Sequence, residues 1–189
     1  MTASTVFVPI MGFTQDTSRV TGIEKIWREL RLRSSAETWV LPPQGWNADW
    51  KSLAHLIANN AFACVEIVVA AYSWGAGHGF VSLAKELAKY GLKVVCAYLA
   101  DPVYKSRWML LSPLSLVNRG PMAPSIKIPR NVAEVVWTRQ RRNKPQGHDL
   151  VASDSATTDI HEAVVVDAPH AFMDDRQEFR NLVMEAING

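Results

Sequence analysis

Residues 65–79, which read VEIVVAAYSWGAGHG, say most about the fold of this 189-residue chain. Residues 65–71 are almost continuously apolar and rich in β-branched side chains, which is typical of a strand buried on both faces of a parallel sheet. Small residues dominate positions 75–79, where a following helix must pack closely against that strand. The stretch therefore predicts a central strand, a sharp turn at Ser73 and a helix that is closed by Gly91 as its C-cap.

Strands and helices alternate along the rest of the chain. Apolar runs rich in β-branched residues predict about six strands, at residues 5–10, 37–41, 65–71, 93–99, 133–138 and 162–166. Apolar residues at helical spacing predict further helices at residues 22–31, 49–60 and 175–187. Asp49 is expected to be the N-cap of the helix at 49–60, and Asp174 and Asp175 are expected to start the last helix. This alternation predicts a single α/β domain over residues 1–189, a three-layer α/β/α sandwich around a mostly parallel sheet.

The composition is that of a globular chain without a strong electrostatic field. Hydrophobic residues make up 48% of the chain, and the formal net charge is only +2. The basic run at residues 139–144, RQRRNK, lacks interleaved aromatic residues and is interpreted as a solvated loop. We therefore expect no nucleic-acid partner.

The chain start and the cysteines bear on where the protein acts. Residues 1–13 lack the basic region and the long apolar region of a secretory signal, and no stretch approaches the roughly 18 apolar residues that span a membrane. Cys64 and Cys96, expected at a helix end and in a strand, are interpreted as buried free thiols, although a disulfide stays open. We expect a cytoplasmic protein with no membrane span.

A second feature of the central stretch points to chemistry. Residues 71–75, Ala-Tyr-Ser-Trp-Gly, match the small-x-Ser-x-Gly pattern of a nucleophile elbow, in which a strained turn between strand and helix presents a serine. Small residues are needed two positions before and after the serine because the helix passes tightly against the strand. Ala71 stands where glycine is usual, and adds only a methyl group. Ser73 is therefore the candidate nucleophile.

With these residues the sequence resembles the α/β-hydrolase family, and the resemblance covers nearly the whole chain. In that family a nucleophile, an acid and a histidine follow in this order, each just past the end of a strand. Ser73, Asp101 and His170 occupy those places. The resemblance implies a reduced α/β-hydrolase fold and a catalytic triad made of these residues. Asp149 and Asp154, in the loop after the fifth predicted strand, stay open as alternatives for the acid.

The resemblance also implies an oxyanion hole and a substrate site. The family uses the backbone N–H after the nucleophile and one from the loop after an early strand, which correspond to Trp74 and Phe13. Gly12, Tyr72 and Trp108 are expected to contact the substrate.

The apolar segment within residues 102–130 is interpreted either as a short lid over the site or as part of the core. Its position after the predicted acid is where the family often inserts a lid.

These features predict a serine hydrolase that cleaves a carboxylic ester or thioester through an acyl-enzyme intermediate. The expected partner is a small-molecule ester or acyl substrate, and we expect no metal and no organic cofactor. The alternative is a catalytically idle protein of the same fold that serves in binding or regulation.

Overall fold

The computed structural model describes residues 3–13, 15, 20–35, 37–103, 125–142 and 144–188. Within these residues the strands are β1 (Ala3–Ile10), β2 (Thr38–Val40), β3 (Ala61–Tyr72), β4 (Val94–Ala100), β5 (Ile126–Ile128), β6 (Val132–Arg139), β7 (Leu150–Ala152), β8 (Asp159–Ile160) and β9 (Val164–Val165). The α-helices are α1 (Gly22–Arg33), α2 (Trp50–Asn60), α3 (Phe80–Ala88) and α4 (Gln177–Asn188).

The main sheet is parallel throughout. Its strand order is β2-β1-β3-β4-β6-β8, and β9 pairs with β6 further along the same edge. Strands β5 and β7 form a separate two-stranded parallel sheet. The predicted fold class, an α/β sandwich around a mostly parallel sheet, is confirmed.

Strand β3 lies in the middle of this sheet, as its apolar sequence predicts. Ile67, Val69 and Ala71 face a core that α2 and α3 cover, whereas Val68 and Ala70 face a second core under α1 and α4. The side chains alternate between the two faces because a strand has a repeat of two residues. Both faces are therefore closed to water, and the carboxyl end of β3 carries the Ser73 turn.

Side-chain caps define where two of the helices begin. The Thr21 hydroxyl accepts a hydrogen bond from the Glu24 N–H at 3.2 Å, which starts α1. The Asp49 carboxylate accepts from the Ser52 N–H at 3.1 Å, and this confirms the N-cap that the sequence predicts for α2.

The structure differs from the sequence-based elements in its short strands and in two boundaries. Strands β5, β7 and β8 were not predicted, because no longer apolar run surrounds these two or three residues, whereas one surrounds the equally short β2 and β9. Cys64 lies inside β3, which begins at Ala61, and not at a helix end. The last helix begins at Gln177 because the residues before it form a 3₁₀ turn, His170–Asp175.

Two further expectations concern a membrane span and a lid. In the part of the chain that the structure describes, no helix has both the length and the apolar character to cross a membrane. The predicted lid, including Trp108, lies mainly in residues 104–124, outside the described residues.

Candidate active site

Ser73 lies on a strained turn directly after β3. Its φ of 54° is in the left-handed region, which residues with a Cβ atom rarely adopt. The Ser73 N–H donates to the Ala100 carbonyl at 3.0 Å, and its own carbonyl accepts from Gly77 and Val103. A π-helical turn, Gly75–Gly79, follows and leads into α3. The turn thus fixes the serine beside the carboxyl end of the neighbouring strand β4.

The packing around this turn explains two of its glycines. A Cβ atom on Gly75 would lie 2.4 Å from the Met11 carbonyl oxygen, which is impossible without moving backbone. A Cβ on Gly12 would lie 2.7 Å from the Tyr72 ring and 3.1 Å from the Ser73 Cβ. The loop after β1 therefore lies directly against the serine turn, as expected for an elbow.

Ser73, His170 and Asp101 are brought together in one hydrogen-bonded chain. Ser73 Oγ lies 2.8 Å from His170 Nε2, and His170 Nδ1 lies 2.5 Å from Asp101 Oδ2. Because a carboxylate can only accept, the imidazole proton is on Nδ1, and Nε2 is left to accept the serine proton. All three side chains are buried, with residue exposures of 5%, 9% and 0% in that order.

Four hydrogen bonds hold the Asp101 carboxylate. Oδ1 accepts from the N–H groups of Gly147 at 2.8 Å and of Gln140 at 3.2 Å, while Oδ2 accepts from Gln140 Nε2 at 3.2 Å as well as from His170. Asp101 also has a positive φ, 42°, at the end of β4. The carboxylate is therefore fixed in one orientation.

Gln140 is a site residue that the sequence reasoning missed. It lies within the basic run interpreted as a solvated loop, yet its side chain is fully buried. The signal that could have identified Gln140 is its position just after β6. Strand β6 pairs with β4, and Thr138 lies opposite Ala100, the residue before Asp101. Residues that follow neighbouring parallel strands meet at the same sheet edge.

Tyr72 anchors the turn that presents His170. Its hydroxyl donates to the His170 carbonyl at 2.8 Å, and the two rings lie 5.2 Å apart between centroids. Burial, together with the charges of Asp174 and Asp101, raises the pKa of Tyr72 far above its usual range. The phenol therefore keeps its proton and remains a donor.

A cleft of about 250 Å³ opens beside Ser73. Its lining is mostly apolar and aromatic: Phe13, Gln15, Tyr72, Ser73, Trp74, Pro145, His170 and Ala171. The Phe13 ring packs 4.1 Å from Trp74 and 5.8 Å from Trp46, between centroids, and Phe13 is 52% exposed. Of the predicted substrate contacts, Tyr72 lines the cleft and Gly12 lies against Ser73.

The course of the backbone is similar to that of a solved thioesterase structure. No family model matches the chain, and no curated protein matches its sequence. The structure of YbtT, a type II thioesterase from the yersiniabactin NRPS/PKS biosynthetic pathway, is similar, with a TM-score of 0.46 and 13% sequence identity. The match covers 98% of this chain and 92% of that chain.

The two alternative acids lie in other surroundings. Asp149 pairs with Arg139 at 2.9 Å, and its side chain is 68% exposed. Asp154 is partly exposed and accepts from the Ala156 N–H at 3.0 Å within a surface turn. The carboxylate that contacts His170 is that of Asp101.

The other histidines occupy separate environments. His55 contacts Asn59 on the surface of α2, and His161 pairs with Glu134 at 2.8 Å. His148 is buried, and its N–H donates to the Pro102 carbonyl at 2.7 Å. His78 lies within the π-helical turn, with its ring 6.0 Å from Trp46.

Cys96 is a free, buried thiol on β4. Burial raises the pKa of this thiol to about 11, so it is almost fully protonated at neutral pH. This protonation state makes Cys96 a poor nucleophile.

Two acids that the sequence assigned to the start of the last helix act elsewhere. Asp174 lies in the 3₁₀ turn, is 2% exposed and accepts from the Ile23 N–H at 3.1 Å, so it caps α1. Asp175 pairs with Lys25, also on α1, at 2.5 Å. The prediction for these residues is wrong because the chain makes one more turn after His170 before α4 begins.

Proposed function

We propose that this protein is a serine hydrolase that cleaves a carboxylic ester or thioester, with Ser73 as nucleophile. The observation that supports it most is the unbroken chain from Ser73 Oγ to His170 at 2.8 Å and from His170 to Asp101 at 2.5 Å. A serine hydroxyl is a weak nucleophile at neutral pH and needs a base that is held in one tautomer by a carboxylate. The three side chains meet that requirement.

The reaction follows from these contacts. As Ser73 Oγ attacks the carbonyl carbon, its proton passes to His170 Nε2, and the imidazolium is stabilised by Asp101. Nε2 then gives that proton to the departing alcohol or thiol, which leaves Ser73 acylated. Water attacks the acyl-enzyme, its proton again moves to Nε2 and from there to Ser73 Oγ, and the carboxylic acid is released.

The negative charge that develops on the carbonyl oxygen needs fixed donors. The amides of Phe13 and Trp74 are the proposed donors, since the loop after β1 packs against the serine turn and the two side chains touch. Losing one such donor typically lowers kcat by about 10² to 10³-fold.

The lining of the cleft supports a substrate that is uncharged next to the scissile bond. Among the described residues that line it, apart from His170, there is no Asp, Glu, Lys, Arg or His side chain. Aromatic walls from Phe13, Tyr72 and Trp74 favour an apolar acyl or leaving group.

Hydrolysis of p-nitrophenyl esters of increasing acyl length tests the proposal. The wild type and a Ser153→Ala control should release p-nitrophenol, whereas Ser73→Ala should lose the activity without losing its fold. Ser153 is a matched control because it is an exposed serine whose N–H bonds to the Ile128 carbonyl. Full activity of Ser73→Ala would refute the nucleophile, and an inactive wild type would favour the idle binding protein.

A further inference from the structure

Gln15 bridges the loop after β1 and the turn that presents His170. Its Oε1 accepts the Gly12 N–H at 3.0 Å, and its Nε2 donates to Asp174 Oδ2 at 2.6 Å. The Gln15 N–H also donates to the Gly12 carbonyl at 3.3 Å, which closes a tight turn around Phe13. Both sides of the candidate site are thus joined through one carboxamide.

The Gln15 carboxamide makes both side-chain contacts at once because it carries an acceptor and a donor. The Gly12 N–H requires an acceptor, and the Asp174 carboxylate requires a donor. A carboxylate at position 15 would satisfy Gly12 but would place two negative charges against each other. An alanine would leave the Gly12 N–H and a buried carboxylate without this partner.

The Asp174 side chain, to which Gln15 donates, is itself held in place. It is 2% exposed, and the same Oδ2 atom accepts from the Ile23 N–H in the first turn of α1. Asp174 also belongs to the same 3₁₀ turn as His170, whose carbonyl is held by Tyr72. The position of the Gly12 loop is therefore tied to that of the candidate base.

We propose that Gln15 and Asp174 are positioning residues, which hold the Phe13 amide where it can stabilise the oxyanion formed at Ser73. Gln15 accepts from the N–H of Gly12, the residue directly before Phe13, and so restrains the backbone from which the proposed Phe13 donor follows. This inference rests on the proposed function. It adds that the loop after β1 and the 3₁₀ turn that begins at His170 are aligned through one side chain, that of Gln15.

The first test removes the Gln15 carboxamide. Gln15→Ala should lower kcat for a p-nitrophenyl ester by about 10- to 100-fold with KM changed less than about threefold, because misplacement of a donor acts on the transition state. Gln177→Ala is the control, since Gln177 is an exposed glutamine near the same turn that bonds to Asn181. It should retain wild-type kcat.

A second test exchanges the two chemical groups. Gln15→Glu alone should lose at least as much kcat as Gln15→Ala, because two carboxylates then face each other. The double variant Gln15→Glu with Asp174→Asn removes the repulsion between the two facing carboxylates and should recover about tenfold of the kcat that Gln15→Glu loses. Recovery stays short of wild type, because one amide atom at position 174 cannot both donate to position 15 and accept from the Ile23 N–H. A role in packing alone would give no such recovery.

The outcomes separate this inference from the function on which it rests. If wild type is active and Ser73→Ala is not, yet Gln15→Ala keeps wild-type kcat, the inference is overturned and the serine hydrolase stands. The inference is equally overturned if Gln15→Ala lowers only the melting temperature, or if the double variant is no better than Gln15→Glu. An inactive wild type would overturn both.

Discussion

His170 Nδ1 and Asp101 Oδ2 lie 2.5 Å apart, although the two residues are separated by 69 positions in the chain. Asp101 ends β4 with a positive φ, and His170 begins a 3₁₀ turn after β9. The parallel sheet brings both to the edge where β3 presents Ser73. This contact is why Asp101 is the proposed acid of the site.

Replacing that carboxylate should nearly abolish turnover. In Asp101→Asn the amide oxygen can still accept from the backbone N–H groups of Gln140 and Gly147, but the amide nitrogen no longer holds His170 with a proton on Nδ1. We expect kcat to fall by about 10³ to 10⁴-fold, measured by ester hydrolysis, with the circular dichroism spectrum unchanged. Asp149→Asn, which removes only the carboxylate charge that pairs with Arg139, should have near-normal activity. If Asp149→Asn lost its activity and Asp101→Asn kept it, Asp149 and not Asp101 would be the acid that holds His170.

Gln140 should contribute to both stability and rate. Gln140→Met keeps the approximate volume of this buried side chain but removes its donor to Asp101 and its bond to the Pro145 carbonyl at 2.8 Å. The free energy of unfolding should fall by about 1–3 kcal/mol, because buried polar groups lose their partner. We expect kcat to fall about tenfold as Asp101 loses one of its restraints. Urea unfolding and ester kinetics measure the two effects, and unchanged values in both would contradict this role.

The exposed Phe13 ring should influence which acyl group is preferred. Phe13→Ala removes an aromatic wall of the cleft but keeps the backbone amide. We expect kcat/KM for medium-chain p-nitrophenyl esters to fall about tenfold and that for the acetate ester to change less than about threefold. Phe172→Ala is the control, because Phe172 is 58% exposed, comparable with the 52% of Phe13. Equal losses for all esters would argue against a role in acyl recognition.

Asp174 should make the stability of the fold depend on pH. Burial is the largest cause that raises the pKa of Asp174 above the ordinary 3.8, while hydrogen bonds from Gln15 and Ile23 oppose it. The folded state therefore binds this proton more tightly than the unfolded state, so the contribution of Asp174 to stability is lost as pH rises from about 3.8 through the raised pKa. The Asp174→Asn side chain does not titrate, so the variant does not lose stability in this way as the pH rises. Its unfolding free energy, relative to wild type, should increase over that window and then level off; a difference that falls with pH would contradict the raised pKa.

The features that depend on neighbouring residues could be predicted from the sequence. The apolar run of β3 predicted a buried central strand, and the residues around Ser73 predicted the turn because its close packing requires small side chains. Asp101 and His170 could be chosen because each follows a strand, and parallel strands bring their ends to one edge.

The remaining features could not be predicted because they depend on contacts between distant segments. Gln15 and Asp174 are 159 residues apart, and nothing near either residue signals the partner. Gln140 lies in a run of basic residues without aromatic neighbours, which suggested a solvated loop. Strand β8, at two residues, lies in no apolar run and exists because β6 offers an edge to pair with.

Reaction of the protein with a fluorophosphonate probe, with the adduct located by peptide mass spectrometry, shows whether Ser73 is an activated nucleophile. An activated serine attacks phosphorus and displaces fluoride, whereas an unactivated serine reacts negligibly. We expect one stoichiometric adduct on Ser73, which is lost in Ser73→Ala and greatly slowed in His170→Ala. An adduct on another residue, or labelling that survives in Ser73→Ala, would contradict the assignment of Ser73.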